Sequence, residues 1–187
     1  MGELHITMGP MFSSKSTSLI TKATNLLNDN ISRSQILMIN HIFDNRYSKE
    51  SNISTHDGKH MSSKSLQTLN NIFNIDSEDY IDMTDIKYIF IDEAQFFKGL
   101  FDIVKKLLFE HNKIIYLAGL DGDYKQEQFK DSDLLTLIPY ATSVQKLNAN
   151  CTVCNKPAPF TKRLIASESQ IVIGGSSDYQ PVCINHL

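Results

Sequence analysis

The 187-residue sequence lacks tryptophan and carries a formal net charge of only −3. A chain without a basic excess lacks the electrostatic footprint of a nucleic-acid-binding protein, so we expect no nucleic-acid partner. It also has no apolar run near the ~18 residues that a membrane helix needs, and we expect no membrane association. The opening segment, MGELHITMG, has neither the basic nor the apolar region of a secretory signal. Together these absences predict a cytoplasmic protein.

Cysteine is scarce and is confined to the C-terminal end of the sequence, at Cys151, Cys154 and Cys183. An odd number of cysteines in a reducing compartment argues against a disulfide framework. Cys151 and Cys154 form one C-x-x-C pair, and Cys183 and His186 form a C-x-x-H pair. Two such pairs predict a closed, structural Zn²⁺ site with these four residues as ligands. The alternatives are three buried thiols or a redox pair, but a redox C-x-x-C normally opens a helix, and none is indicated here.

Short apolar runs alternate with amphipathic segments as far as residue 148. Apolar runs predict strands over residues 4–8, 35–40, 87–92, 113–119 and 143–147. Helical spacing predicts helices over residues 19–27, 65–73 and 100–110, whereas the polar residues 41–63 predict a long loop. This alternation indicates an α/β domain at residues 1–148, a parallel sheet with helices on both faces. After residue 148 the pattern becomes short and rich in cysteine, which predicts a second, small zinc-binding domain at residues 149–187.

Residues 9–17, GPMFSSKST, lie between the first predicted strand and the first predicted helix. They match the phosphate-loop pattern G-x-x-x-x-G-K-[ST] at Gly9, Lys15 and Ser16, but Ser14 replaces the second glycine. In such a loop, backbone N–H groups and a helix N-terminus surround phosphate groups, the lysine reaches the outer phosphates, and the serine hydroxyl holds Mg²⁺. The predicted ATP-binding residues are Gly9, Met11, Phe12, Ser13, Ser14, Lys15, Ser16 and Thr17. The alternative is a chance turn rich in glycine and serine.

Residues 88–97, YIFIDEAQFF, are an apolar strand that ends in two acids. A carboxylate at the C-terminal end of a parallel strand points into the cleft where ligands bind. Asp92 is therefore a candidate Mg²⁺ residue together with Ser16, and Glu93 is a candidate general base. Alternatively, the two acids only begin a helix, where negative charge is favoured.

Further segments occur in the order and spacing of one protein family. They are DNRY at 44–47, IDEAQFF at 91–97, LAGLDGDY at 117–124, TKRL at 161–164 and IGGSSDY at 173–179. With GPMFSSKST and the paired cysteines, the chain resembles a thymidine kinase of the cellular and poxviral type over essentially its whole length. The resemblance implies a P-loop (RecA-like) fold with a zinc-bearing C-terminal domain. It implies transfer of the γ-phosphate of ATP to the 5′-hydroxyl of thymidine, a homotetramer, and thymidine triphosphate as a candidate feedback inhibitor.

The resemblance also implies roles for individual residues. Glu93 would take the proton from thymidine, and Arg46 would lie near the transferring phosphate. A loop within residues 161–179 would fold over the base. The implied thymidine-binding residues are Met11, Phe96, Leu120, Tyr124, Thr161, Gln170, Val172 and Tyr179. Tyr124 stands where the family usually has phenylalanine, and Gln170 stands where it usually has valine. Isolated aromatic residues such as Phe96 are otherwise more typical of a core.

Two other functions are compatible with parts of the sequence. Ser14 suggests a catalytically weak relative that binds nucleotides in a sensing role. The cysteine pairs suggest a zinc-ribbon nucleic-acid binder, although the acidic net charge argues against it.

Overall fold

The computed structural model describes residues 1–44, 52–54 and 60–187. Arg46 and His56, the histidine of the STHDG segment, lie outside the described residues. The strands are β1 (Glu3–Met8), β2 (Ile36–His41), β3 (Asn52–Ser54), β4 (His60–Ser62), β5 (Lys64–Leu66), β6 (Tyr88–Ile91), β7 (Ile114–Gly119), β8 (Ser143–Lys146), β9 (Ala149–Asn150), β10 (Pro157–Ala158), β11 (Phe160–Arg163) and β12 (Tyr179–Val182). The α-helices are α1 (Lys15–Asn28) and α2 (Leu100–Phe109).

Six strands form a parallel sheet in the order β5-β2-β6-β7-β1-β8. All four residues of β6 are buried. Tyr88 and Phe90 belong to the core on one face of the sheet, and Ile89 and Ile91 belong to the core on the other. Successive side chains of a strand point to opposite faces, so a strand that is apolar throughout fits a sheet covered on both sides. The predicted parallel sheet, including a strand at residues 143–147 that closes it, is confirmed.

The two helices cover opposite faces of this sheet. Helix α1 contributes Leu19, Ile20 and Ala23 to the core that contains Phe90. Helix α2 contributes Leu100, Val104, Leu107 and Leu108 to the core that contains Ile89. The predicted arrangement of helices on both faces is therefore also confirmed.

The predicted helix at residues 65–73 is wrong. The segment contains the end of β5 followed by turns, although Leu66, Leu69 and Ile72 are buried as their spacing suggested. Short polar side chains favour the turns, because they bond to the nearby backbone instead of leaving it to a helix. The backbone N–H of Asn70, for example, donates to Thr68 Oγ1 at 3.2 Å.

Residues 41–63 are not wholly a loop either. A 3₁₀-helix spans Ile42–Asp44, and the antiparallel strands β3 and β4 pair with each other. Ile53 is fully buried among the residues under α1. Ile53 and Met61, one apolar residue in each strand, gave too weak a period to predict this strand pair from the sequence.

The C-terminal part of the chain contains two antiparallel strand pairs, β9 with β10 and β11 with β12. A small apolar cluster of its own holds it together, made of Ala149, Cys151, Ala158, Val182 and Cys183. The domain boundary at residue 148 remains a prediction. Among the described helices, none is both long and apolar enough to cross a membrane.

Candidate active site

The functional segments predicted from the sequence gather at one edge of the sheet. Residues 9–17 follow β1, Asp92 and Glu93 follow β6, and Leu120 follows β7, which lies between the other two strands. Because all three strands are parallel, their carboxyl ends meet at the same edge, where ligands bind in open α/β sheets.

The loop at residues 9–17 is tightly built. Gly9 has a φ of +154°, and a Cβ atom placed there would lie 2.4 Å from the carbonyl oxygen of Leu147. Phe12 and Ser14 have φ angles of 63° and 64°, in the left-handed region that L-residues rarely occupy. Ser14 also immediately precedes α1 without a side-chain capping bond. The loop therefore has the positive φ that the motif's second glycine would supply, and a serine occupies that position.

The lysine of the loop is turned inward. Lys15 is 8% exposed, and its Nζ atom donates to the carbonyl oxygen of Pro10 at 2.6 Å. Ser13 Oγ donates to the same carbonyl at 2.9 Å. The ammonium group is thus held at the centre of the loop, at the start of the helix whose first turn also carries Ser16.

Asp92 and Glu93 differ in environment although they are neighbours. Asp92 is 1% exposed, and its Oδ1 atom accepts the backbone N–H of Glu93 at 3.0 Å. The Glu93 backbone is left-handed, with a φ of 50°, and its Oε2 atom accepts from Gln95 Nε2 at 2.7 Å. Gln95 is buried, and its Oε1 atom accepts the backbone N–H of Leu120 at 2.9 Å. Gln95 therefore fixes the Glu93 carboxylate relative to the end of the next strand.

The helix that follows the acids is only the 3₁₀-helix Ala94–Phe96, and Glu93 makes no side-chain capping bond to it. The alternative in which the two acids merely begin a helix therefore accounts poorly for this geometry.

His41, at the end of β2, lies close enough to Glu93 to be influenced by its charge. Burial lowers the pKa of His41, against the opposing effects of the Gln67 carbonyl and the Glu93 charge. In its neutral form, Nε2–H donates to the carbonyl oxygen of Gln67 at 3.2 Å, and Nδ1 accepts the backbone N–H of Phe43 at 3.2 Å. The ring also packs against Phe43, Phe96 and Phe97. His41 thus orients Phe43, a residue of the cavity wall.

A cavity that opens to solvent lies against Glu93, and together with the open space at its mouth it measures about 560 Å³. All eight residues implied to bind thymidine line it: Met11, Phe96, Leu120, Tyr124, Thr161, Gln170, Val172 and Tyr179. The structure therefore brings the implied nucleoside residues together with the candidate base.

The predicted phosphate residues lie mostly outside this cavity. Ser13, Ser14 and Thr17 line a separate, open groove with Lys22 and Asn148. Met11 belongs to the cavity wall, and its backbone N–H donates to Thr161 Oγ1 at 2.9 Å. This bond joins β11 to the loop at residues 9–17, with the Thr161 hydroxyl oxygen as the acceptor.

Sequence reasoning missed Arg163, although TKRL contains it. Its guanidinium carbon lies 3.7 Å from the ring centroid of Tyr124. Its nitrogens donate to the carbonyl oxygens of Ser167, Ser169 and Gln170 and to Tyr179 Oη. An arginine at the base of a predicted loop was the available signal. Phe43 and Phe129 are further cavity residues that no motif indicated, and Asp123 is a cavity residue within LAGLDGDY to which the sequence assigned no role.

The predicted zinc ligands form a compact cluster. One ligand atom from each of Cys151, Cys154, Cys183 and His186 lies within 4.8 Å of the others. The Cys154 and Cys183 sulfurs are 3.6 Å apart, and Cys183 Sγ lies 3.2 Å from His186 Nδ1. Neighbouring sulfurs around a tetrahedral Zn²⁺ are separated by about 3.8 Å, so the cluster fits such an ion. Burial acts to raise the pKa of the Cys151 thiol, but backbone hydrogen bonds from Cys183, Val153 and Cys154 hold it below its usual range.

Comparison with known proteins identifies relatives over the whole chain. The thymidine kinase family model matches residues 2–187. Thymidine kinase a of Arabidopsis thaliana is 39% identical over 99% of this chain and 74% of its own length. The thymidine kinase of sheeppox virus (strain KS-1) is 36% identical over 97% of this chain and 94% of its own length. The cytosolic thymidine kinase of Gallus gallus is 33% identical over 97% of this chain and 75% of its own length. A family model that matches nearly the whole chain and relatives at 33–39% identity show that this chain belongs to the thymidine kinase family.

Proposed function

We propose that this thymidine kinase transfers the γ-phosphoryl group of ATP to the 5′-hydroxyl of thymidine with Glu93 as its general base. The observation that carries the proposal is the position of Glu93 in the wall of the cavity lined by all eight implied nucleoside residues. Gln95 supports the assignment, because its bond from Nε2 to Glu93 Oε2 fixes the orientation of this carboxylate in the cavity wall.

In the proposed reaction, the carboxylate of Glu93 accepts the proton of the 5′-hydroxyl. The oxygen forms a bond to the γ-phosphorus while the bond from that phosphorus to the bridging oxygen of ADP breaks. The products are ADP and thymidine 5′-phosphate. Orientation of the two substrates supplies much of the rate, since phosphoryl transfer leaves little covalent work to the protein.

The phosphate groups of ATP are proposed to bind at residues 9–17. Lys15 would exchange the carbonyl of Pro10 for phosphate oxygens, and the backbone N–H groups of the loop would surround them. Arg46 would approach the transferring group, although it lies outside the described residues. The open groove beside α1 leaves room for the remainder of ATP.

Ser16 and Asp92 are the residues proposed to hold Mg²⁺. They fit the ion, because a hydroxyl in the first helical turn and a buried carboxylate at a strand end offer the hard oxygen ligands that it prefers. When bound, Mg²⁺ supplies positive charge that offsets charge on the phosphate oxygens.

Thymidine is proposed to bind between aromatic walls and the loop above them. Phe96 lies 5.9 Å from Phe129 between ring centroids, and Tyr124 lines the same cavity. Aromatic rings give a flat base a stacking surface worth about 1–3 kcal/mol. Backbone groups of the loop between β11 and β12 would read the edge of the base. A wrong base would leave such groups unpaired, which provides discrimination.

The C-terminal residues 149–187 are proposed to form a separate structural zinc domain. Its four-ligand site would leave no position open for chemistry. The enzyme is further proposed to form a homotetramer and to be inhibited by thymidine triphosphate, as the family resemblance implies.

The proposal is tested by supplying ATP, Mg²⁺ and thymidine and measuring ADP and thymidine 5′-phosphate. Deoxycytidine and a purine deoxynucleoside serve as comparison substrates. We expect both products in equal amounts, with thymidine preferred and turnover lost on chelation of Mg²⁺. Tight thymidine binding without turnover would instead support the sensing role.

A further inference from the structure

The loop over the cavity, residues 164–178, has little backbone structure of its own. We call it the cover loop. It contains no helix or strand, and among the described residues 165–173 form no backbone–backbone hydrogen bond. Its position over the cavity must therefore depend largely on side-chain contacts.

Several of these contacts come from residues outside the middle of the loop. Arg163 donates to three loop carbonyls, Tyr124 Oη donates to the carbonyl of Ser167 at 3.2 Å, and Tyr179 Oη donates to that of Val172 at 2.7 Å. These bonds hold the cover loop at its two ends, through Arg163 of β11 and Tyr179 of β12, and at the cavity wall through Tyr124.

Gln170 makes a different connection, from the cover loop to the segment formed by residues 123–130. Its Nε2 atom donates to Asp123 Oδ2 at 2.7 Å and to the carbonyl oxygen of Gln128 at 3.0 Å. Its Oε1 atom accepts the backbone N–H of Lys130 at 3.1 Å. Both Nε2 protons are used in these bonds, so the amide has no donor left for a base in the cavity.

The carboxylate of Asp123, which accepts the bond from Gln170, is well placed for a strong hydrogen bond. Asp123 is 5% exposed, and its Oδ1 atom accepts the backbone N–H groups of Lys125 and Glu127 at 2.7 and 3.0 Å. Hydrogen bonds to a charged acceptor are stronger than neutral ones. The nearby pair Lys125–Glu168 is 3.8 Å long, with the Glu168 side chain fully exposed, and such surface pairs contribute little.

We propose that Gln170 is a positioning residue that latches the cover loop closed over the nucleoside cavity, through Asp123 and the 123–130 segment, and that it does not read the base. The same segment carries Phe129 into the cavity wall, so the latch joins two walls of the site. This proposal rests on the proposed function for its effect on thymidine, because opening the loop would release the nucleoside.

The first test uses no substrate. Glu168 lies in the cover loop, so a glutamyl endopeptidase can cut after it when the loop opens, and mass spectrometry identifies the cut. Gln170→Ala should be cut there on the order of 10-fold to 100-fold faster than wild type, the range expected for loss of a bond to a charged group. Wild-type cutting rates in this variant would overturn the latch.

The second test measures thymidine release by displacement with excess unlabelled thymidine, in the presence of a non-hydrolysable ATP analogue. We expect Gln170→Ala to release thymidine about 10-fold or more faster, with an unchanged preference for thymidine over deoxycytidine. An unchanged release rate with an altered base preference would make Gln170 a base contact and overturn the proposal.

Asp123→Asn supplies a double-mutant cycle, because it keeps one oxygen acceptor for the Lys125 and Glu127 amides but faces Gln170 with a second donor. If the two residues act as one latch, the double variant should be cut little faster than Gln170→Ala alone, whereas full additivity contradicts it. Ser169→Ala is the matched control. It removes only the bond from Ser169 Oγ to the carbonyl of Ile171 within the loop, and should leave both rates near wild type. The cutting assay remains informative even if the chain fails to phosphorylate thymidine.

Discussion

Ser14 occupies a left-handed backbone conformation, with φ 64° and ψ 28°, immediately before α1. An L-residue pays a steric cost there that glycine does not, because its Cβ approaches the following carbonyl oxygen. Ser14→Gly should therefore stabilise the protein by about 1 kcal/mol and raise ATP affinity or kcat/KM. Chemical unfolding and ATP titration measure the two effects.

Asn30→Gly is the matched control for this variant. Asn30 has a similar φ of 65° just after α1, distant in sequence from the phosphate loop. It should change stability without changing ATP affinity. If Ser14→Gly leaves ATP affinity and kcat/KM unchanged or lower, the loop is not strained by the serine.

At the scale of elements, the neutral ring of His41 bonds the end of β2 to the backbone of Gln67 and Phe43. Burial lowers the pKa of His41 in the folded protein below the value of 6.5 expected for the unfolded chain. As the pH falls below about 6.5, the unfolded state binds this proton more readily, so the contribution to folding stability is lost. Above that pH the contribution is complete. We expect the free energy of unfolding to fall on acidification, although the Glu93 charge moderates the effect.

His41→Gln should make the free energy of unfolding less dependent on pH below about 6.5, where the lowered pKa of His41 costs stability. Urea titrations at several pH values measure the slope. His111→Gln provides a control, since His111 stacks on Phe73 away from the cavity. A slope in His41→Gln equal to that of wild type would mean that His41 does not cause the loss.

The error at residues 65–73 has an element-scale cause. Leu66, Leu69 and Ile72 repeat with a helical period, yet the end of β5 and the turns after it bury the same three residues. Periodicity reports which residues face a core, and it does not by itself distinguish a helix from turns that present the same residues. The strands of the sheet were predictable, because a run such as YIFI must be covered on both faces.

At the scale of the whole molecule, the zinc cluster and the nucleoside cavity share one strand pair. The cover loop joins β11 to β12, and Cys183 directly follows β12. Cys183→Ser should remove about one Zn²⁺ per chain and weaken thymidine binding at least about tenfold, because metal binding is coupled to local folding. ATP affinity should change less. Elemental analysis and calorimetric titrations measure these quantities.

Val153→Ser is the control for the zinc prediction, because Val153 lies between two ligands but is 61% exposed. It should retain zinc and bind thymidine normally. Wild-type protein without zinc would contradict the metal site. Normal thymidine binding by Cys183→Ser would show that nucleoside binding does not depend on that site.

The sequence predicted many of the residues that meet at the site, but it did not predict the contacts that each side chain makes there. The strand ends placed Glu93, and the family resemblance placed the eight nucleoside residues in one cavity. The directions of individual side chains were not predictable. Gln170 bonds to Asp123, 47 positions away in the chain, and Arg163 stacks on Tyr124 across the fold. Such pairings depend on tertiary contacts that no local pattern encodes.

Glu93, fixed by Gln95 at the cavity wall, is the residue proposed to take the proton of the nucleoside hydroxyl. The most direct measurement compares thymidine affinity with turnover in Glu93→Gln, using Glu110→Gln as a carboxylate-to-amide control at an exposed site after α2. We predict thymidine affinity close to wild type and a loss of kcat of about 10²–10⁴-fold, with the control fully active. Turnover retained in Glu93→Gln would contradict the claim.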